Sequence, residues 1–286
     1  MKRRTRLREM INSPEILSAP GAYDAFSAKL VEQAGFQAVY MSGFAVAASA
    51  VGLPDIGLLT MTEMVSNARH MADAVSIPVI ADADTGYGNH LNVMRTVQEY
   101  ERAGIAAVQI EDQVSPKRCG HMEGHKLIPA EEMTAKIRAA VRARRDPELV
   151  LIARTDAISA EGFDEAIRRG NLYRQAGADL LFIEAPTAVE QLARIPKLIS
   201  GPTLVNLAPK TPYLHVKEYE KMGYSLVIYP PLSITCVYAA LKEKLAELKT
   251  EGMNRDGGHG GVPFDELVNF LGLAEYRKAE EEVLKG

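Results

Sequence analysis

A chain of 286 residues with 24% charged side chains and a formal charge of −4 can bury the core of one large α/β domain or two smaller ones. Its mild acidity gives nucleic acid and anionic membrane surfaces nothing to hold, so neither partner is expected. No run is long or apolar enough to span a bilayer, the start is unlike a secretory leader, and Cys119 and Cys236 make no disulfide framework; a reducing cytoplasm is the expected compartment.

In chain order, apolar runs that read as buried strands stand at 15–22, 38–43, 78–84, 106–112, 149–156, 179–186, 203–209 and 225–231. Helical patterns fill most gaps, at 24–35, 91–104, 130–144, 164–177 and 188–199. One phrase recurs at 32–40, 101–109, 174–182 and 220–228: a helix end, a glycine, then an apolar strand. Glycine supplies the left-handed helix stop, and repeated βα units imply a mainly parallel sheet. Eight such units predict a (β/α)8 TIM barrel, with a doubly wound sheet as the alternative. After the eighth strand, 233–252 reads as a long helix, 253–263 as a glycine-rich linker, and 264–276 as an apolar helix before a charged tail. The expected division is a catalytic barrel over 1–252 and a tethered segment over 253–286, which packs on its own barrel or on a neighbouring subunit.

Polar residues cluster at strand ends: Ser42, Asp82, Asp84, Glu111, Arg154, Glu184, Asn206 and Tyr229. In a barrel that face carries the chemistry. The stretch 78–125 concentrates it. Two strands end in Asp82 and Asp84 and in Glu111 and Asp112, and a loop follows with Lys117, Arg118, Cys119 and His121. Acids separated by one residue point the same way at a strand end, and an oxygen-rich cluster suits Mg²⁺. The competing reading, acids stabilising a helix N-terminus, needs no metal. An EF-hand is excluded because the sixth-place glycine and twelfth-place acid are missing; Gly86 and Gly88 lack the third glycine of a dinucleotide fingerprint. Cys119, His121 and His125 do not make a zinc site, since no fourth ligand or second cysteine pair lies nearby. Lys117, Arg118 and His121 around Cys119 are expected to lower its thiol pKa and fit it for proton transfer; packing is the bland alternative. Arg154, after an apolar run, needs an anion: either Glu184 or Asp156 inside the fold, or a substrate carboxylate. Cys236 is expected in the core.

The segments YMSG, DADTGYGN, QIEDQ and KRCGH, within a similarity over nearly the whole chain, resemble the isocitrate lyase/phosphoenolpyruvate mutase superfamily, and the KxCGH loop resembles its carbon–carbon lyase branch. The resemblance implies a (β/α)8 barrel whose last helix is swapped between subunits of a homotetramer. It also implies Mg²⁺ or Mn²⁺ and a 2-hydroxy or 2-oxo dicarboxylate. By the same resemblance Asp82 is the main metal ligand, with Asp55, Asp84 and Glu111 holding the metal's waters. Tyr40, Ser42, Gly43 and Gly120 line the substrate, Arg154 grips a carboxylate, and Glu184 and Asn206 face the second fragment. Cys119 is the general acid/base on a gating loop, with Lys117 and His121 tuning it, and Tyr40 is the candidate acceptor of the 2-hydroxyl proton. An arginine expected a few residues beyond 229–233 is missing, with Cys236 near its place, and Ala208 replaces a threonine. Both departures favour a 2-alkylmalate such as 2,3-dimethylmalate, cleaved to a 2-oxo acid such as pyruvate plus a carboxylate. Cleavage of 2-methylisocitrate and hydrolysis of oxaloacetate are the alternatives, and a non-catalytic carboxylate-binding barrel is the alternative of another class.

Overall fold

The computed structural model describes residues 2–122, 124, 126–258 and 260–285. Eight parallel strands close in sequence order, β1 Leu17–Ala22, β2 Val39–Met41, β3 Val79–Asp82, β4 Ala107–Glu111, β5 Val150–Thr155, β6 Leu180–Ile183, β7 Thr203–Asn206 and β8 Leu226–Tyr229. The (β/α)8 expectation holds and the open sheet does not, because β1 pairs with β8 as well as β2. The helices are α1 Arg3–Ile11, α2 Ala25–Gln33, α3 Gly43–Ala50, α4 Met61–Ala74, α5 His90–Arg102, α6 Ala130–Ala143, α7 Ala157–Ala160, α8 Phe163–Gln175, α9 Val189–Leu198, α10 Val216–Met222, α11 Leu232–Glu251, α12 Phe264–Phe270 and α13 Leu273–Lys285.

Strand alternation sorts the core into two layers. Ala19, Tyr40, Ile80, Ile152, Phe182, Leu204 and Ile228 pack with one another inside the barrel. Their neighbours Met41, Ala81, Val108, Leu151, Leu181, Val205 and Val227 pack outward under the helices. Each strand is apolar on both faces, which is why the runs look continuous in sequence. The inward parity then dictates the mouth. Two residues beyond Tyr40, Ile80, Ile152, Phe182 and Leu204 come Ser42, Asp82, Arg154, Glu184 and Asn206. Tyr229 has the other parity: Ile228 faces inward and Tyr229 packs with the outer layer, so it leaves the expected ring of polar strand ends.

Helix α1 was not foreshadowed, because RRTRLREMI carries few apolar residues. Its Leu7 and Ile11 join the interior cluster. Its arginines tie it down: Arg4 Nε donates to the Ile105 carbonyl at 2.9 Å, and Arg8 Nη1 meets Asp179 Oδ1 at 3.0 Å. Leu7 is 1% exposed, so Leu7→Ala should cost roughly 2–5 kcal/mol by loss of burial plus a residual cavity. Urea melts should show that loss; a change below about 0.5 kcal/mol would mean α1 merely rests on the barrel.

The chain divides into two compact units, Met1–Ile234 and Thr235–Gly286. In the second, the expected apolar helix and charged tail are instead α12 and α13, separated at Gly272, whose φ of +90° suits glycine. None of the described residues of α11, α12 or α13 is buried, and Tyr238, Leu245, Phe264 and Tyr276 are each at least 60% exposed. Cys236 is exposed too, against its expected core position, on a helix none of whose residues is buried. No helix among the described residues is long and apolar enough to cross a membrane.

Candidate active site at the barrel mouth

Register brings the strand-end charges side by side. Asp82 of β3 is paired with Gln109 of β4, and Glu111 of β4 with Arg154 of β5. Asp82 Oδ1 accepts from the Asp84 amide at 3.1 Å and from Gln109 Nε2 at 3.3 Å. Asp84 reaches the cluster from just beyond β3 with φ +47°, a left-handed conformation that a local site must hold in place. Gly43 leaves Asp82 uncovered: a Cβ there would lie 2.7 Å from Oδ2.

Burial lifts the Asp82 carboxyl to about 6, with Lys117 opposing the rise and Asp84 adding to it. Glu111 is pushed well above the usual carboxylate range by burial, against the pull of Arg154. Among the described residues neither Glu111 oxygen accepts a hydrogen bond, and Arg154 Nη1 stands 3.4 Å away. Buried acids left this short of donors fit a hard cation and its water shell. Among the described residues no three Asp, Glu, His or Cys side chains converge to enclose an ion by themselves.

Lys117 enters this cluster. Its Nζ lies 2.5 Å from Asp55 Oδ1 and 2.9 Å from Asp84 Oδ1, and the side chain is buried. The lysine therefore anchors the loop to the carboxylates. Gln113 grips the same loop from the end of β4, donating to the Arg118 carbonyl at 2.8 Å and accepting from its amide at 2.9 Å. Cys119 then donates its amide to the Asp55 carbonyl at 3.0 Å. Gly120 touches the floor: a Cβ there would overlap Arg154 and Asp156 and sit 2.8 Å from Glu184 Cγ. The loop is thus closed over the mouth.

The Cys119 thiol is raised, not lowered, above its ordinary value. Burial is the main cause, partly offset by the His121 amide, with Asp55 adding to the rise. The expected activation by neighbouring cations is corrected on this point, since the Lys117 ammonium is spent on Asp55 and Asp84. A thiol kept protonated is a proton donor. Tyr40 is likewise raised well above its ordinary value by burial and by Asp82, and its hydroxyl donates to Gln109 Oε1 at 3.1 Å. In this arrangement its proton is engaged by Gln109.

On the far side of the mouth, Arg154 forms a fork with Asp156, at 2.7 and 3.1 Å, and lies 3.3 Å from Glu184 Oε2. Both internal partners weighed for it are present. Burial alone would raise Glu184, but Arg154, His121 and Asn206 outweigh it and hold the carboxyl at about 2. Asn206 Nδ2 donates to Glu184 at 3.0 Å, His121 Nε2 lies 3.4 Å from the same carboxylate, and Asn206 Oδ1 is buried without a partner among the described residues. Ser42 caps α3 through the Ala45 amide at 3.3 Å. His125 lies outside the described residues.

Asp112 does not join the acidic cluster. It is turned outward, where it accepts from Thr155 Oγ1 at 2.7 Å, Tyr173 at 2.7 Å and the Asp156 amide at 3.0 Å, with Arg169 at 3.3 Å. Gln109 and Gln113 belong to the site structurally without being among its expected residues, and Asp156, expected only as a partner of Arg154, joins them. Gln109 was findable as a lone amide in an apolar strand, on the same parity as Glu111.

Residues 7–249 match the family described as phosphoenolpyruvate phosphomutase. The chain is 45% identical to 2,3-dimethylmalate lyase of Eubacterium barkeri, covering 100% of both chains. It is 42% identical to 2-methylisocitrate lyase of Aeropyrum pernix, over 97% of this chain and 90% of that one. Among solved structures, oxaloacetate acetylhydrolase with the inhibitor 3,3-difluorooxalacetate superposes with a TM-score of 0.93 at 34% identity, covering 99% and 97% of the two chains. Phosphonopyruvate hydrolase in complex with oxalate and Mg²⁺ superposes with a TM-score of 0.90 at 34% identity, covering 99% and 100%.

Proposed function

Because the chain belongs to the phosphoenolpyruvate mutase/isocitrate lyase superfamily, we propose that it is a Mg²⁺-dependent carbon–carbon lyase that cleaves a 2,3-dialkylmalate to a 2-oxo acid and a carboxylate. One observation carries the reading. A half-buried thiol, Cys119, is held in a loop anchored by Lys117 on the acids of the mouth and by Gly120 against Arg154 and Glu184. A non-catalytic carboxylate binder has no need of that thiol.

Asp82 is the proposed direct metal ligand, with Asp55, Asp84 and Glu111 holding its waters; Mn²⁺ is the other suitable ion. A divalent cation there supplies Lewis acidity to the 2-hydroxyl and the adjoining carboxylate. The chain's own residues do the rest. Arg154 binds a substrate carboxylate while keeping Asp156 as its anchor. Ser42 and Gly43 border the 2-oxo-acid end. Glu184, Asn206 and His121 line the space of the departing fragment, and Gly120 allows the loop to sit against it. When the C2–C3 bond breaks, the 2-hydroxyl proton passes to water as the 2-oxo group forms, and the bond's electron pair leaves as the enediolate of the departing carboxylate. Cys119 delivers its thiol proton to that carbon, and the resulting thiolate takes a proton back from solvent.

Substrate size follows from the missing arginine near Cys236. A third carboxylate would be desolvated without a cation. Of the two basic residues that could replace it, His215 is committed to capping α10 through the Lys217 amide at 3.2 Å. Lys210 lies nearer, its amide 3.4 Å from His121 Nδ1. We expect kcat/KM for 2,3-dimethylmalate to exceed that for 2-methylisocitrate by at least about tenfold, roughly 1.4 kcal/mol. Coupled 2-oxo-acid release on 2,3-dimethylmalate, 2-methylisocitrate and oxaloacetate decides it, and a preference for 2-methylisocitrate that Lys210→Ala removes would reassign the substrate.

The exposed apolar side chains of α11–α13 support an assembly in which 253–286 is swapped onto a second copy, in a homotetramer. A cytoplasmic setting agrees with two free cysteines.

A further inference from the structure

We propose that Gln109 is a positioning residue that ties the Asp82 carboxylate to the Tyr40 hydroxyl and so fixes the direction in which that hydroxyl can hydrogen-bond. Gln109 is fully buried on the inward face of β4, beside Asp82 in the register of β3 and β4. Its amide has one donating and one accepting end. An ionised carboxylate only accepts, so the Asp82 side must receive the NH2 group, at 3.3 Å. The carbonyl end, Oε1, is thereby turned to Tyr40 and takes its hydroxyl proton at 3.1 Å. With that proton committed, Tyr40 offers only lone pairs to a bound ligand. Such an oxygen welcomes a ligand hydroxyl and is a poor neighbour for a second carbonyl oxygen.

The consequence concerns selectivity, and it rests on the lyase reading above for the identity of the ligand. A 2-hydroxy acid, the form of the substrate, can donate to Tyr40; the 2-oxo acid that is released cannot. Gln109 touches neither. It acts through Tyr40 on the choice between hydroxyl and carbonyl, and through Asp82 on the cation.

Calorimetry tests both arms without turnover. Mg²⁺ alone is titrated into wild type, Gln109→Met, Tyr40→Phe and the double variant; lactate and pyruvate are then titrated at saturating Mg²⁺. Gln109→Met should weaken Mg²⁺ about tenfold or more, the usual effect of losing a group behind a metal ligand. It should also shift the lactate-to-pyruvate affinity ratio about fivefold toward pyruvate. In the Tyr40→Phe background the same substitution should shift that ratio less than twofold, because the hydroxyl it orients is gone. Gln109→Leu serves as a second apolar variant should the first not fold. Unchanged Mg²⁺ affinity, or a ratio shift that persists without the Tyr40 hydroxyl, would overturn the assignment. If neither acid binds the wild type, the lyase reading falls, and the Mg²⁺ titration alone then judges Gln109.

Discussion

Asp82→Ala should lower kcat/KM for the dialkylmalate by at least about 10³-fold, and excess chelator should do the same to the wild type. The size follows from what the carboxylate is asked to do. Charge stabilisation by a bound divalent ion contributes several kcal/mol in the transition state, and each 1.36 kcal/mol is about tenfold in rate. Asp82 is the acid best placed for direct contact: it is buried, it is open toward Gly43, and it feels the charges of Lys117, Asp84, Arg154 and Asp55. Added Mg²⁺ or Mn²⁺ should restore the chelated wild type and leave Asp82→Ala inactive. Full turnover in excess chelator would remove the metal from the chemistry and leave Lys117 and Arg154 as the cations that serve it.

The barrel was legible in the sequence because its signals are local and repeated. Each helix–glycine–strand phrase reports its own βα unit, and all eight expected strands appear within a few residues of their expected limits. The polar strand ends were legible too, but their orientation required strict parity. Asp112 and Tyr229 each follow an inward-facing residue and so turn outward, a one-residue difference that the strand ends alone do not reveal. Helix α1 stayed hidden because only Leu7 and Ile11 enter the core, and its hold comes from arginines reaching carbonyls about a hundred residues away. The sign of the Cys119 shift was hidden for a related reason. Sequence places Lys117 two residues from the thiol, but its ammonium pairs with Asp55 and Asp84, so burial governs the thiol. Charge near in sequence is not charge near in space.

That sign makes the thiol's expected role specific, and Cys119→Ser measures it. A hydroxyl at this position is a far weaker acid than a thiol, so protonation of the departing enediolate should slow even though shape and size barely change. We expect kcat to fall about 10²–10⁴-fold, the usual contribution of a positioned general acid. Binding should survive, since the loop's anchors lie elsewhere: Lys117 on Asp55 and Asp84, Gln113 on Arg118, and the amide of residue 119 on the Asp55 carbonyl. Mg²⁺ and pyruvate should therefore bind the variant within about threefold of wild type, because uniform binding and transition-state chemistry separate in this way when only the proton donor is lost. Lys117→Met makes the contrasting variant. Removing the ammonium leaves Asp55 and Asp84 facing one another without a cation and releases the loop, so both ligand binding and kcat should suffer. Should Cys119→Ser turn over the dialkylmalate at the wild-type rate, the thiol is packing, and the proton must come from another source such as solvent or His121, whose Nε2 lies 3.4 Å from Glu184.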